Sequence, residues 1–106
     1  MSDIAILLST FADKADAERV ASAVIDERLA ACVNILAPCT SIYRWQGEVE
    51  TGEEVPALFK TSVQLADALR RRIGELHGYD LPVVETWPVA VGEAVASWVA
   101  AETGTP

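Results

Sequence analysis

Few residues in this chain are equipped for chemistry. His77 is the only histidine among 106 residues, and it precedes Gly78-Tyr79-Asp80. An imidazole can ligate a metal or carry a proton near neutral pH. At the end of a helix it has a plainer use, as a cation set against the helix dipole. Cys32 and Cys39 are the only thiols. Thiolates are soft ligands for copper or zinc, although a lone cysteine more often serves as a small buried hydrophobe. Their C-x6-C spacing is not that of a zinc site, and no second pair follows. On one extended strand they lie too far apart for a disulfide, whose Cα atoms stay within about 7 Å. Reduced thiols in a reducing compartment are the simpler expectation.

Two further groups stand out. Glu48, Glu50, Glu53 and Glu54 form an acidic stretch. Such carboxylates can hold hard divalent cations loosely, but alternating acids on a strand more often mark a solvated face. Arg44, Trp45, Lys60 and Tyr79 could hold a small anionic ligand, since an arginine fork suits phosphate or carboxylate. Hairpin packing by Trp45 is the competing use. The run Arg70-Arg71-Arg72 reads as helix surface, partly paired with acidic neighbours. No glycine-rich phosphate loop, G-x-S-x-G elbow or H-E-x-x-H occurs. A Cys32–His77 pair has no evident third group to orient it. The expectation is a protein that is not an enzyme.

The elements that position these residues follow from patterning. At this length the chain is expected to be one domain, 1–106. The net charge of −8 disfavours nucleic acid and anionic lipid. The N-terminus lacks the basic and long apolar segments of a signal peptide, and no apolar run is long enough to span a membrane. Ile4–Ser9 reads as a strand buried on both faces. Asp13 caps an amphipathic helix with Ala17, Val20, Ala21, Val24, Ile25 and Leu29 on its inner side. A β pattern runs from Cys32 to about Arg44, interrupted at Pro38, where a kink is expected. Gln46-Gly47 forms a tight hairpin tip, and Val49 to Thr61 is the return strand, with Pro56 a second irregularity facing Pro38.

Ser62 caps a second helix to about His77, and Gly78 ends it in a left-handed conformation. Leu81–Val91 is a fourth strand, and a last helix runs from about Glu93 to Ala101 with Val95, Trp98 and Val99 as its apolar side. The order β-α-β-β-α-β plus one helix is the ferredoxin-like arrangement, an α+β sandwich. With Trp45 opposite Glu48, unbroken counting sets Leu36 opposite Ala57 and Asn34 opposite Phe59, shifted by one if a bulge forms. Both sheet faces then carry apolar residues. Helices cover one face, so the other is expected to be covered by copies of the same chain. The apolar content of 51% agrees with that.

The residues also resemble a known family. Glu27-Arg28-Leu29-Ala30-Ala31-Cys32-Val33-Asn34-Ile35, then Ser41-Ile42-Tyr43-Arg44-Trp45 with Gly47 and Val49, Lys60-Thr61, and His77-x-Tyr79-Asp80-x-Pro82 are similar to the signatures of the divalent-cation-tolerance (CutA) family. The likeness runs from about Ile4 to Val99. It implies a ferredoxin-like subunit, a homotrimer resembling the PII signalling proteins, an association with divalent metals and copper above all, and cytoplasmic residence. It also implies an inter-subunit cleft containing Cys32, Asn34, Trp45, Lys60, Thr61, His77, Tyr79 and Asp80. Gly78 stands where the family usually has proline, and Val83 where many relatives have glutamate; Glu85 lies two residues on.

Two functions are therefore expected. One is a trimeric copper (Cu2+) or other divalent-cation protein, with Cys32, Cys39 and His77 as soft ligands assisted by Asp80 or Glu85. The alternative is a PII-like trimer binding a small anion or a partner protein near Lys60 and Arg44.

Overall fold

The computed structural model describes residues 1–104. Strand β1 (Ser2–Phe11) leads into helix α1 (Lys14–Asp26), then β2 (Cys32–Ile35), β3 (Cys39–Trp45), β4 (Glu48–Thr61), helix α2 (Ala66–Leu76), β5 (Glu85–Val91) and helix α3 (Glu93–Glu102). A single 3-10 turn, Val63–Leu65, precedes α2. All pairings are antiparallel, in the order β2-β4-β1-β5, with β3 also on β4. This is the expected ferredoxin-like α+β topology with its second strand cut in two.

The cut has a physical cause. Leu36 N–H donates to the Pro56 carbonyl at 2.9 Å, and Ala31 N–H to the Lys60 carbonyl at 2.9 Å. Even-numbered β4 residues therefore turn their backbone groups toward β2. Pro56 has no N–H to return to Leu36, and Pro38 lacks one as well. Between them, residues 36–38 leave the ladder. Trp45 does pair with Glu48, and Cys39 with Glu54, but beyond the break Ile35, not Leu36, lies opposite Ala57. The register has slipped by one residue, and Asn34 faces Leu58. The hairpin tip is built as a type I′ turn, with φ of 50° at Gln46 and 83° at Gly47.

Parity then sorts the side chains. On one face Ala5, Leu7, Ser9, Phe11, Val55, Ala57, Phe59 and Thr61 are all buried. Helices α1 and α2 close it with Ala17, Val20, Val24, Leu69 and Ile73. The other face carries Ile6, Leu8, Leu58 and Lys60, all half-buried, and Trp87, which is 39% exposed. Helix α3 packs against β1 and β4.

Strand β4 runs seven residues beyond its last partner in β1, Val55. Residues 39–54 thus project as a two-stranded arm, and the molecule measures 45 × 25 × 22 Å. Both faces of the arm are open: Ile42 is 72% exposed and Val49 62%, and Tyr43 and Trp45 are also exposed.

Several local expectations are corrected. Asp13 does cap α1, accepting the Asp16 N–H at 2.8 Å. Ser62 makes no such bond, because the chain enters α2 through the 3-10 turn. Gly78 does not terminate α2 in a left-handed conformation. His77 is the C-cap, extended at φ −69°, ψ 143°. The left-handed residue lies elsewhere, at Arg28 after α1. There Arg28 N–H bonds the Ile25 carbonyl and Leu29 N–H the Val24 carbonyl, the Schellman pattern usually built on glycine. The Arg28 guanidinium donates to the carbonyls of Ala101 (2.8 Å) and Gly104 (3.2 Å), tying the end of α3 to the end of α1. The fourth strand begins at Glu85, not Leu81. Only Val99 of the α3 apolar set is buried, and Ile25 is 40% exposed.

Candidate functional site

The early start of the α2–β5 connection and the late start of β5 create a polar cluster that several elements share. Glu85 pairs with Leu8, so β5 does not reach Thr10. Since odd β1 residues bond to β4, Thr10 turns its backbone toward the missing part of β5. The loop after α2 fills that place. His77 Nε2 lies 2.8 Å from the Thr10 carbonyl, and an accepting carbonyl requires that this nitrogen carry the proton. His77 Nδ1 accepts the Tyr79 N–H at 3.2 Å. The imidazole lies flat on Phe11, with ring centroids 4.5 Å apart and planes 11° apart, and against Tyr79 at 4.6 Å.

Tyr79 carries the loop around to the open face. Its hydroxyl donates to Glu54 Oε2 at 2.8 Å, and Thr10 Oγ1 donates to the same oxygen at 3.0 Å. Burial pushes the Glu54 carboxyl up, but the hydroxyls of Ser41, Tyr79 and Thr10 together outweigh it and hold the group below its ordinary range. Burial first, and then Glu54 itself, raises the Tyr79 phenol well above its ordinary value. The pair shares a proton that stays on tyrosine.

Thr10, Ser41 and Glu54 were not legible as site residues. Glu54 sat in an acidic stretch whose alternation pointed to solvent. The hairpin tip did offer one signal, since counting from it puts Cys39 opposite Glu54.

The predicted ligands are distributed differently from the expectation. Cys32 pairs with Lys60 and Cys39 with Glu54, so the two thiols sit about 20 Å apart along β4 at the usual strand rise. Glu85 begins β5, beyond β1 and β4 from Asn34. Asp80 is exposed. Among the described residues no three His, Cys, Asp or Glu side chains form a metal-holding group. Within one chain the set Cys32, Cys39, His77, Asp80 and Glu85 does not assemble.

Of the cleft residues, Cys32, Asn34, Trp45 and Lys60 do share the open face by register, with Tyr79 reaching it. Thr61 does not: it is fully buried under the helices, and its hydroxyl has no partner. Arg44 points to the other side of the arm and donates to the Gly47 carbonyl at 3.2 Å. The arginine run borders a separate groove of about 460 Å³ with Gly74, Glu75, Pro82 and Val84. Arg70 and Arg71 are both paired with Asp67 there.

The sequence matches the model of the CutA1 divalent ion tolerance protein over residues 5–102. The chain belongs to that family. The divalent-cation tolerance protein CutA of Thermus thermophilus is 40% identical over 100 residues, covering 93% of this chain and 97% of that protein. The crystal structure of CutA1 from Pyrococcus horikoshii superposes with a TM-score of 0.90 at 36% identity, covering 95% of this chain and 99% of that one. A periplasmic divalent cation tolerance protein CutA from Archaeoglobus fulgidus is similar at 27% identity and a TM-score of 0.88, covering 93% of this chain and 97% of that one.

Proposed function

We propose that the chain acts as a homotrimeric, non-enzymatic divalent-cation tolerance protein of the cytoplasm, with copper as its preferred cargo. The observation that carries this reading is the open sheet face. Ile6, Leu8, Leu58 and Trp87 lie there half-buried or exposed, on the face that α1 and α2 leave uncovered, and an arm with two free edges projects beside them. A lone two-stranded hairpin is marginal in water, and unpaired edges invite pairing. Closure by copies of the chain covers both.

The thiols lie on the same face. Cys32 and Cys39 are too far apart to share an ion within one chain, but each could meet Asp80, Glu85 or a thiol of a neighbouring copy. A mixed S/O set of that kind favours copper over magnesium or calcium. The relatives' names as divalent-cation tolerance proteins support the cation reading.

The test is calorimetric titration of the reduced protein with copper, zinc and magnesium, its mass known from light scattering. Saturable copper binding at a fixed ratio per trimer, lost in Cys32→Ser or Cys39→Ser, is the expected result. Weak binding of all three ions by a protein of any mass would show only the acidic surface at work.

A second reading has one observation in its favour. Lys60 is half-buried on the open face and makes no ion pair among the described residues. A PII-like trimer could use it to hold a small carboxylate or phosphate. Thermal stabilisation by such anions, absent in Lys60→Ala, would favour that reading.

A further inference from the structure

We infer that His77, the residue most suited by type to hold a metal in this chain, is not a ligand but the keystone of a hydrogen-bonded lock that fastens the α2–β5 loop around the edge of the sheet. Four bonds close a ring. His77 Nε2–H reaches the Thr10 carbonyl, Tyr79 N–H reaches His77 Nδ1, Tyr79 O–H reaches Glu54, and Thr10 O–H returns to the same Glu54 oxygen.

Each bond answers a local need. Thr10 presents a carbonyl where β5 has not yet begun, and a partly buried carbonyl without a partner is costly. Among side chains only an N–H or O–H donor arriving from the loop can serve it, and His77 leaves α2 as its extended C-cap at that point. The Tyr79 N–H lies just past the end of α2, where no strand receives it, and the second ring nitrogen does. Phe11 supplies a flat apolar floor that fixes the ring plane.

A ligating histidine also commonly donates its far N–H to a carbonyl, so the Thr10 bond by itself is neutral between the two roles. The Tyr79 N–H decides. A neutral imidazole has one lone pair available for a metal, and here that lone pair is already accepting a backbone proton. Glu54 Oε2 is likewise occupied by two hydroxyls. The family's association with divalent ions and this cluster's geometry therefore disagree, and the cluster's work is to hold residues 77–84 in place. This does not depend on the trimer or on the identity of the cargo.

One histidine makes the test direct, because every imidazole signal belongs to His77. Nitrogen NMR of the labelled, metal-free protein should show the tautomer protonated at Nε2, and hydrogen exchange should show a protected Tyr79 amide. Adding saturating zinc should leave both ring nitrogens unshifted. In His77→Ala the amides of residues 77–80 should exchange at least roughly tenfold faster, with a smaller rise in Tyr79→Phe. A proton on Nδ1, an unprotected Tyr79 amide in the parent protein, or a zinc-induced shift of either ring nitrogen overturns the lock. Absence of copper heat in calorimetry would instead count against the cation reading above, with the lock then decided by the tautomer and the exchange rates.

Discussion

The two faces of the sheet alternate along the same strands, residue by residue, and end in different conditions. Phe59 and Leu58 are neighbours in β4. Phe59 is fully buried against Phe11 and the helices, while Leu58 is half-buried on the face that α1 and α2 do not cover. The same contrast holds for Leu7 and Leu8 in β1. One face is finished by the chain itself, because α1 and α2 bring matching stripes to it. The other is not covered by α1 and α2, and Leu8 and Leu58 stay half-buried there. An apolar side chain is thus sealed into the core on one parity and left partly in contact with solvent on the other, even at adjacent positions.

Substitutions should separate these two roles. Phe59→Ala opens a cavity on the closed face and should lower unfolding stability by about 3–5 kcal/mol, read from denaturant midpoints. Leu58→Asp should leave a folded chain and lower the mass in solution. If Leu58→Asp unfolded the chain as severely as Phe59→Ala, the faces would not differ as described.

Acid offers a gentler probe, since Glu54 sits on the open face and is held by Ser41, Tyr79 and Thr10. Its folded carboxyl titrates below the ordinary 4.5, although burial opposes the shift. Between the two values the unfolded chain binds more protons, so the stabilisation is fully present above about 4.5 and is lost as pH falls through the folded value. Urea midpoints measured down the acid limb should therefore fall more steeply for the parent than for Glu54→Gln. Parallel limbs would show that the three hydroxyls do not favour the ionised form.

The smallest effect is expected on the closed face. Thr61 buries a hydroxyl without a partner. Thr61→Val keeps the shape and removes the orphan group, and should raise stability by about 1 kcal/mol. A loss of stability of that size would mean that the hydroxyl does find a partner.

Much of this was legible beforehand. The element order, the Asp13 cap, the Gln46-Gly47 turn and the irregularity at Pro38 and Pro56 are local matters of pattern and backbone chemistry. The slip of register between β3 and β2 was foreseeable as a possibility but not as a fact, because it depends on how residues 36–38 leave the ladder opposite Pro56. The cluster was not legible. Thr10, Glu54 and Tyr79 are far apart in sequence, and what joins them is the late start of β5, which apolar Leu81-Pro82-Val83-Val84 disguised as strand. Gly78 misled for a related reason: a glycine after a helix suggests a left-handed stop, but the hydrogen bonds of His77 terminate α2 in an extended conformation first.

Copies of the chain are proposed to cover the open face. Light scattering through a dilution series, with the parent protein beside Leu58→Asp, decides whether they do. The expected result is a mass of three chains for the parent that persists on dilution, and a single chain for the variant. A parent protein that is monomeric at every concentration, with the open face in water, would contradict it.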